Sequence, residues 1–211
     1  MFSFSFLWKG KKLRIIGDVH GYFALYEDIA NGADHSIQLG DFGFKPEWNK
    51  LIFSKLSSDN HKIIPGNHDD YDFIKSPKAS AYTFGKDYGM QQFQGWNFFF
   101  IRGAYSIDKN MRIPYRSWWP EEQLTPVQFA KAFDEYEEAK PKIILSHDAP
   151  STIIQKMFGR KSINNHTSEC LNAFLDHKPD LWIFGHWHES KIMKIGGTEF
   201  ICLNELEFID L

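Results

Sequence analysis

The length, composition and charge of the chain are those of an ordinary globular protein. Its 211 residues, 43% hydrophobic and 24% charged, can bury a core without splitting, which predicts a single domain over residues 1–211 and argues against disorder, collagen and coiled coils. The net charge of -3 supplies no long-range attraction to polyphosphate, so a DNA-coating protein is disfavoured. Cys170 and Cys202 are the only cysteines, too few for a disulfide framework or a disulfide-linked partner, and this favours a cytoplasmic protein.

The N-terminal segment predicts a hairpin that leads into a buried strand. Residues 2–8 alternate aromatic and small side chains, and they are too short and lack the basic leader for a membrane span or a secretory signal. Gly10 and Lys11 would form the turn, and the apolar residues 13–16 would form the buried strand. We therefore expect no membrane association, and Asp18 falls just past a strand end.

Five apolar strands are predicted, and each one leads into polar residues. After the strand that precedes Asp18, they lie at 36–39, 62–64, 143–145 and 181–184. Helices are predicted between them at 23–30, 47–56, 125–139 and 167–177. Alternating strands and helices are typical of an α/β fold. Ligands gather at the carboxyl ends of the strands in such a sheet, so the polar residues that follow the strands are candidates for a site.

The C-terminal half is predicted to contain a long helix and, further along, short antiparallel strands. Thr125 can cap free backbone amides, and Pro126 suits the first helical position, where its missing amide proton costs nothing. The face of this helix expected in the core comprises Val127, Phe129, Ala130 and Phe133. Tight turns then separate strands that are predicted at 191–195, 199–203 and 207–209.

Two short motifs supply carboxylates near strand ends. Asp18 and His20 lie two residues apart just after a strand, where an extended chain would point both side chains to one side. Taken alone, the pair could equally be a turn acid beside a surface histidine. Asp41 adds a carboxylate with two oxygens that can bridge two cations, and Gly40 before it permits a close approach of the backbone. Alone, this Gly-Asp pair could simply be a turn.

Residues 66–69, Gly-Asn-His-Asp, offer three kinds of polar group side by side. Asn67 has an amide oxygen that can serve as a neutral ligand, and Asp69 can orient His68 by accepting its ring proton. Three further imidazoles follow two later strands, at His147, His186 and His188. Such a mixed set of nitrogen and oxygen donors suits Mn, Fe, Zn or Ni.

In this order, the motifs resemble those of the calcineurin-like metallophosphoesterases, and the segments 101–108 and 117–122 resemble those of small bacterial and phage members. The matching motifs are Asp18-x-His20, Gly40-Asp41, Gly66-Asn67-His68-Asp69, His147 and Gly185-His186-x-His188. The resemblance covers nearly the whole chain. It implies an α/β fold with two mixed β-sheets packed face to face and flanked by helices, an αββα sandwich.

The resemblance also implies a dinuclear metal centre. One ion would be held by Asp18, His20, Asp41 and His188, and the other by Asp41, Asn67, His147 and His186, so that Asp41 bridges the two. Both would be divalent transition-metal ions, with manganese expected first and iron, nickel or zinc as alternatives. Two such ions lower the pKa of a shared water, so that a bridging hydroxide can attack phosphorus in line.

His68 holds no metal in this scheme. The resemblance makes it the acid that assists the leaving oxygen or steadies the charged phosphoryl group, with Asp69 orienting it. The implied function is that of a metal-dependent hydrolase, a phosphodiesterase or a phosphatase. Its substrate would be a phosphodiester or phosphomonoester, such as a nucleotide, a nucleic-acid end or another small phosphate ester.

Two alternatives remain open from the sequence. In Ser/Thr-type protein phosphatases the Gly-Asp motif continues into an Asp-Arg pair whose arginine grips phosphate, whereas this chain continues with Phe42, Gly43, Phe44 and Lys45. The other alternative is an inactive binding scaffold, as in the retromer subunit that resembles these enzymes. There the catalytic histidine is replaced, whereas His68 is present here, and we therefore favour an enzyme.

The irregular segment 103–123 is long for a connection in a compact domain, and such segments are often functional. Three arginines in or beside it could meet phosphate through their fork of donors: Arg102, Arg112 and Arg116. Trp118 or Trp119 could stack on a base. Equally, the tryptophans could form a hydrophobic plug, and the arginines could pair with Glu121 or Glu122 at the surface. We favour this second interpretation, and the sequence does not predict an oligomeric state.

Overall fold

The computed structural model describes residues 12–45, 55–159 and 165–211. The strand predicted at 2–8 and the turn at Gly10 and Lys11 lie outside these ranges, as does most of the helix predicted at 47–56. Within the described ranges, no helix is both long and apolar enough to cross a membrane. Cys170 and Cys202 are free thiols.

The first sheet has four strands in the order β10-β1-β2-β3. β1 (Leu13–Ile16), β2 (His35–Gln38) and β3 (His61–Ile63) run parallel, and β10 (Phe208–Asp210) pairs antiparallel with β1. Every residue of β1 and β2 is buried, as expected for parallel strands that are covered on both faces. The carboxyl ends of β1, β2 and β3 therefore lie along one edge of this sheet.

The second sheet has six strands in the order β4-β5-β6-β7-β9-β8. These strands are β4 (Tyr88–Phe93), β5 (Trp96–Ile101), β6 (Ile143–Ser146), β7 (Leu181–Phe184), β8 (Lys191–Ile195) and β9 (Thr198–Cys202). The four inner strands run parallel, whereas β4 and β8 pair antiparallel at the two edges. Hence β6 and β7 also present their carboxyl ends at one edge.

The two sheets pack face to face, and helices cover their outer faces. Ile15 and Ile37 of the first sheet form one apolar cluster with Phe98 of the second. Successive residues of a strand point to opposite faces, so their neighbours Ile16 and Phe99 belong to two other clusters, which the helices cover. The predicted sandwich of two mixed sheets flanked by helices is confirmed.

Three of the six described α-helices correspond to predicted ones, with differences in extent, whereas Tyr71–Ile74, Pro77–Ser80 and Ser151–Phe158 were not predicted. The six helices are α1 (Phe23–Asn31), α2 (Tyr71–Ile74), α3 (Pro77–Ser80), α4 (Pro126–Ala139), α5 (Ser151–Phe158) and α6 (His166–Leu171), and short 3₁₀ turns occupy Lys109–Met111, Pro120–Glu122 and Asn172–Leu175. The helix predicted at 167–177 is thus a short α-helix that continues as a 3₁₀ turn.

Helix α4 begins as the sequence predicts, but its buried face is rotated from the expected one. The side chains of Thr125 and Gln128 each accept a hydrogen bond from the other residue's backbone amide, which forms a capping box. The prediction that Val127 and Ala130 lie in the core is wrong, since both are exposed. The residues of α4 that are buried are Phe129, Ala132 and Tyr136.

Two features of the strands differ from the sequence prediction. The hairpin β4–β5 was not predicted, because its turn pairs Gln94 (φ 51°) with Gly95 (φ 90°), and glutamine is not the usual signal for a turn with two positive φ angles. Strands β8 and β9 pair antiparallel as expected. The last strand does not continue that pairing, because β10 joins β1 in the other sheet.

Candidate metal centre

Loops from both sheets bring the candidate ligands together. Asp18 and His20 follow β1, Asp41 follows β2, Asn67 follows β3, His147 follows β6, and His186 and His188 follow β7. The loops contact one another so closely that a Cβ at Gly40 would lie 2.3 Å from the His147 ring, and a Cβ at Gly185 would lie 2.2 Å from an Asp18 carboxylate oxygen. Glycine at these two positions therefore lets the two sheet edges meet.

The first group of donors comprises Asp18, His20, Asp41 and His188, whose ligand atoms all lie within 4.8 Å of one another. His188 Nε2 is 3.1 Å from Asp18 Oδ2 and 3.1 Å from His20 Nε2. His20 Nε2 lies 3.7 Å from Asp18 Oδ2 and 3.8 Å from Asp41 Oδ2. Two carboxylates and two imidazoles thus lie close together, and these are the four residues that the family resemblance implies for one ion.

The second group comprises Asp41, His147 and His186, again with ligand atoms within 4.8 Å of one another. His147 Nε2 is 3.3 Å from Asp41 Oδ1 and 3.0 Å from the amide oxygen of Asn67, which places Asn67 beside this group. The other ring nitrogen of His147 lies 2.7 Å from the carbonyl oxygen of Leu39. That contact favours a proton on Nδ1. Burial lowers the pKa of His147, but Asp41 outweighs this effect and raises it to about 10, so a bound cation would take the place of a proton on Nε2.

The donor set fits two divalent cations that share Asp41. The side chains of Asp18, Asp41 and His147 are no more than 1% exposed. Two buried carboxylates with oxygens within 4.8 Å of each other need positive charge nearby. Burial raises the pKa of Asp18, but contacts with His188 and His20 outweigh this effect and bring it to about 2. Burial also raises the pKa of Asp41, but the contact with His147 outweighs this effect and holds the pKa far below its usual range. Both carboxylates are therefore ionised and able to bind metal.

Four of the candidate ligands adopt a backbone conformation that is unusual for residues with a side chain. The φ angles of His20, Asp41, His186 and His188 are 47°, 52°, 65° and 50°. Positive φ angles are uncommon outside glycine, and they cluster at functional sites where the surrounding structure holds them in place. Backbone contacts provide such support, since the amides of Val19 and His20 both donate to the carbonyl of Asp41.

His68 lies at the edge of the cluster, in neither group. Its Nε2 is 4.0 Å from Asp41 Oδ2, and its ring nitrogens lie 2.9 and 2.6 Å from Nη2 of Arg112. Burial lowers the pKa of His68 to about 4, although Asp41 opposes this, and Arg112 acts in the same direction as burial. A bound phosphate anion would raise this pKa again, because a neighbouring negative charge favours the protonated ring.

Asp69 has other partners than the sequence analysis expected. Its carboxylate accepts hydrogen bonds from the backbone amides of four residues, at 2.8 to 3.3 Å: Phe42, Gly43, Phe44 and Gly66. Within the described residues, it accepts none from the His68 ring, so the expected orienting contact is replaced. Asp69 instead ties the loop that carries Asp41 to the loop that carries Asn67.

A buried chain of hydrogen bonds, which the sequence analysis missed, holds the Asn67 side chain. Asn67 Nδ2 donates to Ser106 Oγ at 2.9 Å, and that hydroxyl donates to Glu122 Oε2 at 2.7 Å. Glu122 also accepts from the Ser106 amide, and it is fully buried rather than paired at the surface. Since the amide nitrogen is occupied by Ser106, the amide oxygen of Asn67 is turned toward His147.

A second set of hydrogen bonds that the sequence did not predict holds the loop after β7. Asp148 accepts hydrogen bonds from Trp187 Nε1 at 2.9 Å and from Ser168 Oγ at 2.6 Å. Trp187 lies between His186 and His188, so its anchored ring restrains both imidazoles. No spacing in the sequence relates residues 148, 168 and 187.

The segment 103–123 contains both structural residues and one that faces the cluster. Arg102 is structural, because its Nε donates to Asp87 at 2.5 Å and its guanidinium packs 4.7 Å from the centre of the Tyr71 ring. Trp119 is 4% exposed and donates to Asp72, as expected of a plug. Only Arg112 among the three arginines is described in contact with His68.

Comparisons with known proteins identify the family and the fold of this chain. The family model of the calcineurin-like phosphoesterases matches residues 11–190. A dimetal phosphatase from Danio rerio is similar in structure, with a TM-score of 0.62 and 14% identity over 93% of this chain and 88% of that chain. A phosphopantetheinyl hydrolase from Mycobacterium tuberculosis has a TM-score of 0.51 and 11% identity over 93% and 91% of the two chains.

GAP50, the anchor in the inner membrane complex of Plasmodium, is similar as well, with a TM-score of 0.52 and 13% identity over 92% of this chain and 72% of that chain. At these identities, the likeness shows a common fold. None of the curated proteins matches the sequence.

Proposed function

Because the chain belongs to the calcineurin-like phosphoesterase family, we propose that it hydrolyses phosphate esters with two divalent metal ions that share Asp41. The observation that carries this proposal is the membership of Asp41 in both groups of converging donors. A carboxylate with one oxygen near each group is suited to bridging two ions. When bound, such ions acidify water and neutralise charge on the phosphoryl group.

The proposed ligands are the seven residues on the converging loops. One ion would be held by Asp18, His20, Asp41 and His188, and the other by Asp41, Asn67, His147 and His186. Manganese is our first choice, and iron, nickel or zinc suit the same mixed donors. The imidazoles are neutral ligands, and the buried carboxylates supply the negative charge that retains the cations.

His68 is proposed to assist the leaving oxygen. Its side chain is 42% exposed, so it can reach a substrate from the edge of the cluster, whereas the side chain of Asp41 is only 1% exposed. A phosphoryl group bound there would favour protonation of the ring, which could then release a proton to the leaving group. The substrate is proposed to be a phosphodiester or phosphomonoester of a nucleotide or another small molecule.

The fold alone does not decide between catalysis and binding, since GAP50 is named as an anchor. Two observations favour catalysis in this chain. Two groups of metal-binding side chains converge on Asp41, and His68 lies beside them with a side chain that is 42% exposed. A scaffold would need neither feature.

The test is hydrolysis of chromogenic phosphomonoesters and phosphodiesters with Mn²⁺, Ni²⁺, Zn²⁺ and Mg²⁺ in parallel. We expect metal-dependent turnover, and we expect His68→Ala to reduce it by about 100-fold to 10,000-fold with an unchanged metal content. His177→Ala is the matched control, because this histidine contacts the carbonyl of Pro141 before β6 and β7 begin, whereas the proposed ligands follow the other ends of these strands. Equal loss of metal and activity in His68→Ala would show that His68 is a ligand, and a metal-loaded protein inert on every ester would refute the proposal.

A further inference from the structure

Arg112 lies against the candidate catalytic histidine at the edge of the cluster. It follows the 3₁₀ turn Lys109–Met111 in the long segment between β5 and α4. Its side chain is only 9% exposed, and Nη2 lies 2.6 Å from His68 Nε2. His68 in turn lies beside Asp41, so the guanidinium adds a fixed positive charge next to the proposed metal centre.

Asp108 holds the guanidinium in a defined orientation. Nε of Arg112 donates to Asp108 Oδ2 at 2.9 Å, and Nη2 lies 2.8 Å from Asp108 Oδ1. Such a paired contact between the two planar groups fixes the orientation of the arginine more firmly than a single hydrogen bond does. The side chain is therefore positioned before any substrate binds.

The remaining nitrogen of Arg112 lacks a partner within the described residues. Nη1 is buried, and it donates no hydrogen bond to any described residue. A buried donor without a partner is energetically unfavourable. An arginine that served only to anchor the segment would not need to keep an unpaired N–H group. The unpaired group therefore indicates an acceptor that arrives with a ligand.

We propose that the guanidinium of Arg112 binds a non-bridging oxygen of the substrate's phosphoryl group. This inference rests on the proposed function and adds a substrate-binding residue to it. A guanidinium presents planar N–H groups that match phosphate oxygens, and the neighbouring His68 would face the same phosphoryl group. Phosphomonoesters and phosphodiesters both carry non-bridging oxygens, so both classes serve as probes.

The experiment compares Arg112→Gln and Arg112→Lys with Arg116→Gln, a matched control that removes the same charge from an exposed side chain four residues along. Activity is measured on a monoester and a diester, and inorganic phosphate binding to the Mn²⁺-loaded protein is measured by isothermal titration calorimetry. We expect Arg112→Gln to weaken phosphate binding and kcat/KM by about 10-fold to 100-fold, the range for hydrogen bonds to charged groups. Arg112→Lys should recover part of the loss.

Metal content and thermal unfolding of the variants separate binding from structural damage. Metal content should match that of Arg116→Gln. Thermal unfolding should show that Arg112→Gln is folded at the assay temperature, although the loss of the pair with Asp108 lowers its Tm. The relative loss for the two esters tells which class Arg112 favours, and a loss for either supports the proposal.

Unchanged phosphate affinity and kcat/KM in Arg112→Gln, with an active wild type, would overturn this inference and leave the proposed function standing. A wild-type protein that neither hydrolyses an ester nor binds phosphate with any of the metals would overturn both.

Discussion

Ser106→Ala tests whether the buried chain from Glu122 to Asn67 positions a metal ligand. The substitution removes a hydroxyl that accepts from Asn67 Nδ2 and donates to Glu122 Oε2. Both partners are buried, at 2% and 0% exposure. One neutral hydrogen bond contributes about 1 kcal/mol and one to a carboxylate about 1.5 to 3 kcal/mol, so we expect the free energy of unfolding to fall by about 2 to 4 kcal/mol.

The effect on metal binding should be confined to one ion. Asn67 lies beside the group of Asp41, His147 and His186, and freeing its amide would weaken the ion bound there by about 10-fold to 100-fold. Urea denaturation of the metal-free protein measures the first effect, and calorimetric titration with Mn²⁺ measures the second.

Ser117→Ala provides the control for both measurements. Ser117 lies in the same segment, and its exposed side chain accepts a hydrogen bond from the amide of Ile113. The Ser117→Ala substitution should leave Mn²⁺ affinity unchanged. If Ser106→Ala bound two ions with wild-type affinity, the positioning role of Ser106 would be refuted.

Two further predictions concern stability. Asp69→Asn should lower the free energy of unfolding by about 3 kcal/mol or more, because an amide cannot accept from four backbone N–H groups, and a loss below about 1 kcal/mol in urea denaturation would contradict this. Asp210→Asn should destabilise by about 1 kcal/mol at pH 7. Burial raises the pKa of Asp210, but hydrogen bonds from Arg14 and Lys12 outweigh it and lower the pKa. The stabilisation by the Asp210 carboxylate is therefore present above its usual pKa and is lost as the pH falls below about 4. The difference in Tm between Asp210→Asn and the wild type should shrink at that pH. A difference that grew would contradict this prediction.

The position of the site could be predicted because the chain repeats one local pattern. Each candidate ligand follows an apolar strand, and the carboxyl ends of parallel strands meet at one edge. Asp41 could thus be placed near Asp18 from strand order alone. The same patterns of apolar and polar residues predicted three of the described α-helices and every described strand except β4 and β5. The division of the strands between two sheets followed from the family resemblance.

The contacts that support the site could not be predicted, because they join residues without a local pattern. Ser106 lies 39 residues from Asn67 and 16 from Glu122, and no spacing rule relates the three. The role of Asp69 was mistaken because adjacency to His68 suggested a contact, whereas the turn directs its carboxylate to the amides around Gly43.

The backbone conformation of the candidate ligand residues could not be predicted from the sequence either. A positive φ at a histidine such as His20 depends on hydrogen bonds from distant loops, and residue type gives no signal for it.

The central claim, that Asp41 joins two metal ions into a catalytic centre, is tested most directly by the rate of Mn²⁺-dependent hydrolysis of a chromogenic phosphate ester. Asp41→Asn should reduce this rate by more than about 100-fold, because loss of the shared carboxylate weakens both ions. Asp59→Asn, which changes an exposed aspartate in the same way, should not change the rate. A wild-type rate in Asp41→Asn, or turnover by the wild type that is independent of added metal after chelation, would contradict the account.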